Sequence, residues 1–270
     1  MAPAMTATGR RNAIRRTIPR NDRSRTGIVV DYREAVNEVL ALRVRSVLRA
    51  TPTSRILRLD LNDLSYPFTA GQAVMLGRHG QSLRKPFSIA CAPEDARRLR
   101  ALEFLIRIDD DGGLGAPLDP LSRGTLVDAE GPLGSFQVPD TTDERHFLFV
   151  AGGTGIAPIR AMLRHVLLTR PDARIGLVYS ARSSDEFAYE RELRRLAGAG
   201  RIRLLLTATR AATLEWEGER GRIDVERLSA MIEDPATLSF VCGPAPLVDD
   251  VPAMLRALGM SPARVRIQEW

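Results

Sequence analysis

His146-Phe-Leu-Phe-Val-Ala-Gly-Gly-Thr-Gly-Ile-Ala-Pro158 runs an apolar strand straight into a glycine turn and out into a helix. Phe147 to Val150 form the unbroken apolar run expected of a strand covered on both faces. Gly152, Gly153 and Gly155 remove side chains where backbone N–H groups must approach a ligand, and Pro158 suits the first helical turn. Beyond it Ile159, Met162, Leu163, Val166 and Leu167 share one face, so the helix buries that face and points its positive end back at the turn. Such a turn favours a pyrophosphate, with Gly153, Thr154, Gly155 and Pro158 as its binding residues. A plain tight connection has the same spacing, and this stretch alone does not separate the two readings.

Two further segments flank it in an informative order. Upstream is Leu83-Arg-Lys-Pro-Phe-Ser-Ile-Ala90, and downstream is Phe240-Val-Cys-Gly-Pro244. Taken together the three resemble the ferredoxin–NADP reductase superfamily over roughly residues 38–270. Members of that superfamily carry an Arg-x-Tyr-Ser-type flavin motif, a Gly-Gly-x-Gly-x-x-Pro nucleotide turn and a Cys-Gly-Pro motif in this order along the chain.

The resemblance implies a bound flavin, FAD with FMN as the alternative, reduced by a nicotinamide dinucleotide. By position, Phe87 would pack on the flavin ring and Ser88 would hydrogen-bond near its N5, with Pro86 between them and the basic residue. Lys85 stands where the superfamily usually has arginine, and Arg84 sits one residue earlier; lysine supplies charge without a bidentate fork. A second flavin contact corresponds to Gly113, Leu114 and Gly115, whose N–H groups would nest a phosphate although Gly115 replaces the usual serine. A merely flexible glycine loop is the competing reading of that segment. The resemblance also implies that the Cys242 thiol lies beside the nicotinamide, with Gly243 and Pro244 next to it. Trp270 would cover the flavin, and the pattern of Glu before an aromatic fits Glu269-Trp270 or Gln268-x-Trp270. Ser88, Cys242, Glu269 and Trp270 are therefore the candidate catalytic residues.

Donor preference is sought where the strand from Ile175 to Tyr179 ends. An acidic residue there would accept from the ribose 2′-OH of NADH; Ser180 and Arg182 stand there instead. Arg210, after a later strand, would converge with Arg182 on a 2′-phosphate, which gives NADPH as the preferred donor over NADH. Solvated surface arginine is the competing reading in a chain that contains a single lysine, Lys85.

Composition narrows the classes. The net charge of +6 suggests nucleic acid until the charges are located: residues 1–27 hold seven arginines against Asp22, so the remainder is formally neutral. This tail lacks apolar periodicity and lacks the hydrophobic stretch of a secretory signal, so disorder and a cytoplasmic location are expected, with a mitochondrial presequence, suggested by the scarcity of acids, as the competing reading. No apolar run reaches the 18 residues of a membrane span. Two cysteines, Cys91 and Cys242, are too few for the four thiolates of an iron–sulfur cluster, and His79, His146 and His165 are scattered, so no metal is expected. Electrons would then leave to a separate acceptor such as a ferredoxin, flavodoxin or oxygenase component. The alternatives are a free-flavin or ferric reductase, and a non-catalytic electron-transfer subunit.

Along the chain the rhythm changes once. Short β-like pieces punctuated by Pro52, Gly71, Gly80 and Gly131-Pro132 predict an antiparallel barrel; from His146 the pattern alternates strand and helix, as in a parallel sheet. The fold class is thus β + α/β, an N-terminal antiparallel flavin-binding β-barrel followed by a parallel-sheet Rossmann-like NAD(P)-binding domain. The expected division is a tail over 1–37, the barrel over 38–142 and the nucleotide domain over 143–270.

Overall fold

Period-two burial builds the first half of the chain. The computed structural model describes residues 39–109, 113–115, 118–139, 143–211, 213 and 216–269; the tail, Gly112 and Trp270 lie outside the described residues. Strands β1 (Val39–Thr51), β2 (Ser54–Asp60), β3 (Ala73–Arg78), β4 (Lys85–Ser88), β5 (Ala101–Arg107) and β6 (Leu126–Leu133) pair antiparallel in the order β4-β3-β6-β1-β2-β5. Leu42 and Val44, Leu57 and Leu59, Val74 and Leu76, and Val127 and Ala129 point to one shared interior, as alternation requires. A bridge between Ile89 and Phe104 joins the chain just past β4 to β5, so the two edges of the sheet meet as a barrel. Between them lies a helix absent from the sequence reading, α1 (Pro93–Leu99).

The second half contains β7 (His146–Gly152), α2 (Ile156–Thr169), β8 (Arg174–Ser183), α3 (Glu190–Gly198), β9 (Arg203–Ala211), β10 (Glu219–Arg220), α4 (Val225–Ser229), β11 (Leu238–Gly243), α5 (Ala245–Ala257) and β12 (Val265–Glu269). Its strands are all parallel in the order β10-β9-β8-β7-β11-β12. Phe147 and Phe149 feed the core on one face while Leu148 and Val150 feed the core on the other, which is why β7 reads as unbroken apolar sequence. Because β8 lies on one side of β7 and β11 on the other, chain order reverses here. A crevice opens at such a reversal, outside the C-terminal strand ends.

An ion-pair network joins the two sheets. Arg160 of α2 donates from Nη1 to Glu103 of β5 (3.0 Å) and to the Ala90 carbonyl (2.6 Å), and from Nε to Glu192 of α3 (2.7 Å). Arg164, one turn on, donates to Asp95 of α1 at 2.8 Å and to Glu192 at 2.7 Å. Burial opposes ionisation of Asp95, but the Arg164 and Arg98 contacts overcome it and hold the carboxyl below the usual carboxylate range. Glu192 behaves likewise, burial being outweighed by Arg160 and Arg164. No helix among the described residues is long and apolar enough to cross a membrane.

Candidate active site

The glycine turn is shaped by what stands behind it. A Cβ at Gly155 would lie 2.4 Å from the Cys242 carbonyl oxygen, so no larger residue fits without moving the backbone of β11. Gly243 also packs tightly on Gly152, a Cβ there meeting the Gly152 backbone at 3.1 Å. Gly153 adopts φ +55°, begins a single 3₁₀ turn, and leads into α2, whose Ile156, Ala157 and Pro158 are buried. Tyr179 of β8 fixes the turn from the side: its hydroxyl donates to the Gly153 carbonyl (3.1 Å) and accepts from the Ala188 N–H (3.2 Å). Burial pushes the Tyr179 phenol upward, so it stays protonated and remains a donor.

A cleft of about 470 Å³ opens over this turn, between the barrel and the C-terminal ends of the parallel strands. Gly153, Thr154, Ser180, Arg182, Arg210 and Pro244, all singled out from sequence, line it together. The barrel contributes Thr51, Thr53, Ser54, Leu105 and Arg107, and Thr53 closes one rim by donating to Glu186 at 3.2 Å. Arg222, just after β10, also lines the cleft. Arg182, Arg210 and Arg222 are exposed, and none has a carboxylate partner among the described residues. Tyr179, Arg107 and Arg222 carry no motif that marks them in the sequence, apart from the Gly221-Arg-Ile223 triplet around the last.

Gly155, Pro158, Cys242 and Gly243 lie beneath the cleft rather than on its wall. Cys242 is fully buried in the core, and burial pushes its thiol upward, so the sulfur keeps its proton and supplies shape rather than charge. Glu269 pairs in register with Gly243 at the end of β12.

The flavin motif occupies β4. Pro86 and Lys85 are exposed, Phe87 is half-buried, and Ser88 is buried with its Oγ making no hydrogen bond. A buried hydroxyl without a partner is costly, and a polar ligand atom reaching this strand would satisfy it. Arg84 is turned away: its guanidinium donates to Asp128 at 3.1 Å and lies 3.6 Å from Glu130. Asp128 is buried, which opposes its ionisation, yet His79, the Gly80 N–H and Arg84 keep its carboxyl below the usual range. Lys85 has no carboxylate partner among the described residues, so it is the motif's free cation. These residues fit a flavin.

The glycine turn of the barrel differs from expectation. The Leu114 and Gly115 N–H groups, expected to face a flavin phosphate, both donate to the carboxylate of Asp119, each at 2.7 Å.

Comparison with known proteins agrees with this architecture. Residues 149–252 match the model of the oxidoreductase NAD-binding domain. Over 245 residues the chain is 31% identical to ferredoxin–NADP reductase B of Sorangium cellulosum, covering 86% of this chain and 98% of that one. The chain belongs to the ferredoxin–NADP reductase superfamily. It is accordingly an FAD-dependent NAD(P)H oxidoreductase. Longer relatives are matched in part: a flavohemoprotein of Rhodopirellula baltica is 28% identical, with 75% of this chain covering 52% of its length. Among solved structures, a ferredoxin–NADP⁺ reductase from Neisseria gonorrhoeae with bound FAD and NADP superposes with a TM-score of 0.71 at 20% identity, covering 86% of this chain and 98% of that chain. The cytochrome P450 reductase GcoB of Amycolatopsis gives a TM-score of 0.76 at 23% identity over 87% of this chain and 71% of its own. At such identities these two superpositions speak for the fold.

Proposed function

We propose that this reductase takes a hydride from NADPH in preference to NADH and passes electrons to a separate acceptor, a ferredoxin, flavodoxin or oxygenase component. The observation that carries the donor preference is the presence of Arg182, Arg210 and Arg222 in the lining of one cleft, with Ser180 where an acidic residue would favour NADH. Three guanidinium groups suit a 2′-phosphate, since charge-assisted bonds to a dianion are about twice as strong as neutral ones. The pyrophosphate of the donor belongs at the Gly153–Gly155 turn, which meets the helix N-terminus and is held by Tyr179. The bound flavin supplies the hydride-accepting ring, with Phe87 against it, Ser88 as a hydrogen-bonding partner and Lys85 as the cation facing its phosphates. Pro244 lines the nicotinamide end without charge, Cys242 is buried beneath it, and Glu269, in register with Gly243, is the acidic residue assigned to that end. A separate acceptor is supported by the chain's own composition, because two cysteines cannot hold an iron–sulfur cluster. In this reading residues 38–142 hold the flavin and 143–270 the dinucleotide, with the Trp270 ring covering the flavin.

The test is steady-state kinetics with ferricyanide as acceptor. Arg182→Ala and Arg222→Ala should each raise KM for NADPH by about 10- to 100-fold while leaving NADH nearly unchanged. Equal effects on both dinucleotides would remove the 2′-phosphate assignment. A second reading, a reductase that uses flavin as a diffusing substrate, is favoured by one specific observation: the barrel's glycine turn already holds a carboxylate.

A further inference from the structure

We propose that Asp119 is an internal competitor for the flavin phosphate, a carboxylate seated in the turn's anion position that a phosphate must displace before it can bind there. The inference rests on the flavin-binding reading above and deepens it.

Two consecutive backbone donors, Leu114 N–H and Gly115 N–H, reach the two separate oxygens Oδ1 and Oδ2 at 2.7 Å each. Consecutive N–H groups aimed into one concavity hold two oxygens of an anion, and a phosphate would engage the same two donors in the same way. One pair of N–H groups cannot serve both anions, so the two occupancies exclude each other. Gly115 reaches this geometry at φ +72°. A second acid crowds the position: a Cβ at Gly115 would lie 2.5 Å from Asp109 Oδ2. The local field therefore opposes an incoming phosphate until Asp119 leaves.

Asp119 is not needed to close the turn. The Leu118 N–H donates to the Gly115 carbonyl at 2.7 Å, and the Asp109 N–H donates to the Gly113 carbonyl at 2.8 Å, so backbone bonds hold both sides. Arg78 donates to the Asp119 carbonyl oxygen at 3.4 Å and keeps the residue's backbone in place when its side chain swings out. The carboxylate is thus a guest in a turn that stands without it. Its consequence is selective: it lowers affinity for phosphate-bearing flavins and leaves the ring-binding contacts of Phe87 and Ser88 untouched.

The experiment uses the full chain freed of flavin, as wild type, Asp119→Asn and Asp119→Ala, titrated separately with riboflavin, FMN and FAD by quenching of flavin fluorescence. Asn keeps the shape and removes the charge; Ala removes the group. Thermal unfolding of each protein confirms that the backbone bonds suffice. The expected result is an FMN and FAD Kd about tenfold lower in both variants, with riboflavin Kd unchanged. Wild type should prefer FMN over riboflavin only weakly, and the variants strongly. Unchanged or weaker FMN binding in Asp119→Asn, with riboflavin binding intact, overturns the competitor role while leaving the flavoprotein reading standing. Failure of all three proteins to bind any of the three flavins removes the flavoprotein reading, and the competitor with it.

Discussion

Replacing Arg160 by Met isolates the join between the two sheets. The Arg160 side chain is 12% exposed and touches Glu103, Glu192 and the Ala90 carbonyl, with its guanidinium 4.2 Å from the Tyr189 ring centroid. Removing one partner of a buried pair costs about 3–5 kcal/mol, because the remaining charge stays desolvated. Here the lower end applies: Glu103 keeps Arg58 on its other oxygen at 2.7 Å, and Glu192 keeps Arg164. The Ala90 carbonyl loses its side-chain donor outright. A loss of about 3 kcal/mol corresponds to a Tm lower by about 6–12 °C for a chain of this size. The assay is thermal unfolding followed by circular dichroism, on Arg160→Met, Glu103→Leu and the double variant. The double variant should recover at least half of the loss, since apolar groups of similar volume replace a buried pair at little cost. A single-variant loss below about 1 kcal/mol, or strict additivity of the two changes, would refute the idea that this pair joins the sheets.

Two other outcomes follow from the same geometry. Gly155→Ala should lower both stability and NADPH affinity, because its methyl group meets the Cys242 carbonyl at 2.4 Å and pushes the turn off β11; unfolding and KM measurements showing neither change would mean the turn relaxes freely. Acid should weaken the join: Asp95 and Glu192 have depressed carboxyl values in the folded state, so their stabilisation is present above the unfolded value of about 4 and is lost as pH falls through the folded one. Tm measured from pH 7 down to pH 3 should fall less steeply in Arg164→Met than in wild type, and an identical slope would count against these two groups.

The glycine turn was legible in the sequence because its cause is steric and local: strand, glycines and helix follow one another without a gap. The alternation of barrel strands was legible for a similar reason, since Leu57 and Leu59 or Val127 and Ala129 announce their shared face two residues apart. α1 was not, because Pro-Glu-Asp-Ala-Arg-Arg-Leu carries no apolar stripe; it is anchored by Asp95 reaching Arg164, a partner 69 residues away. α3 begins only at Glu190, well past the end of β8 at Ser183. Residues before it are drawn into packing instead: Phe187 stacks on Trp216 with centroids 4.9 Å apart, the Ala188 N–H is taken by Tyr179, and Tyr189 adopts φ +64°. β10 is two exposed residues whose pairing with β9 leaves no pattern to read. In the site, Arg182 and Arg210 were recognisable from their strand-end positions, whereas Arg222 looked like any other arginine until the fold brought it to the lining of the same cleft. Asp119 escaped notice because its bond runs backward, four and five residues along the chain, onto donors assigned to a ligand.

Strand order also dictates when each groove can exist during synthesis. All six barrel strands, through Leu133, leave the ribosome before β7 begins at His146, so the yellow cofactor's platform can assemble while the remaining chain is still being made. The dinucleotide turn has to wait. Its glycines are seated against the Cys242 carbonyl and Gly243, and translation must pass that point before Gly152–Gly155 have a surface to rest on.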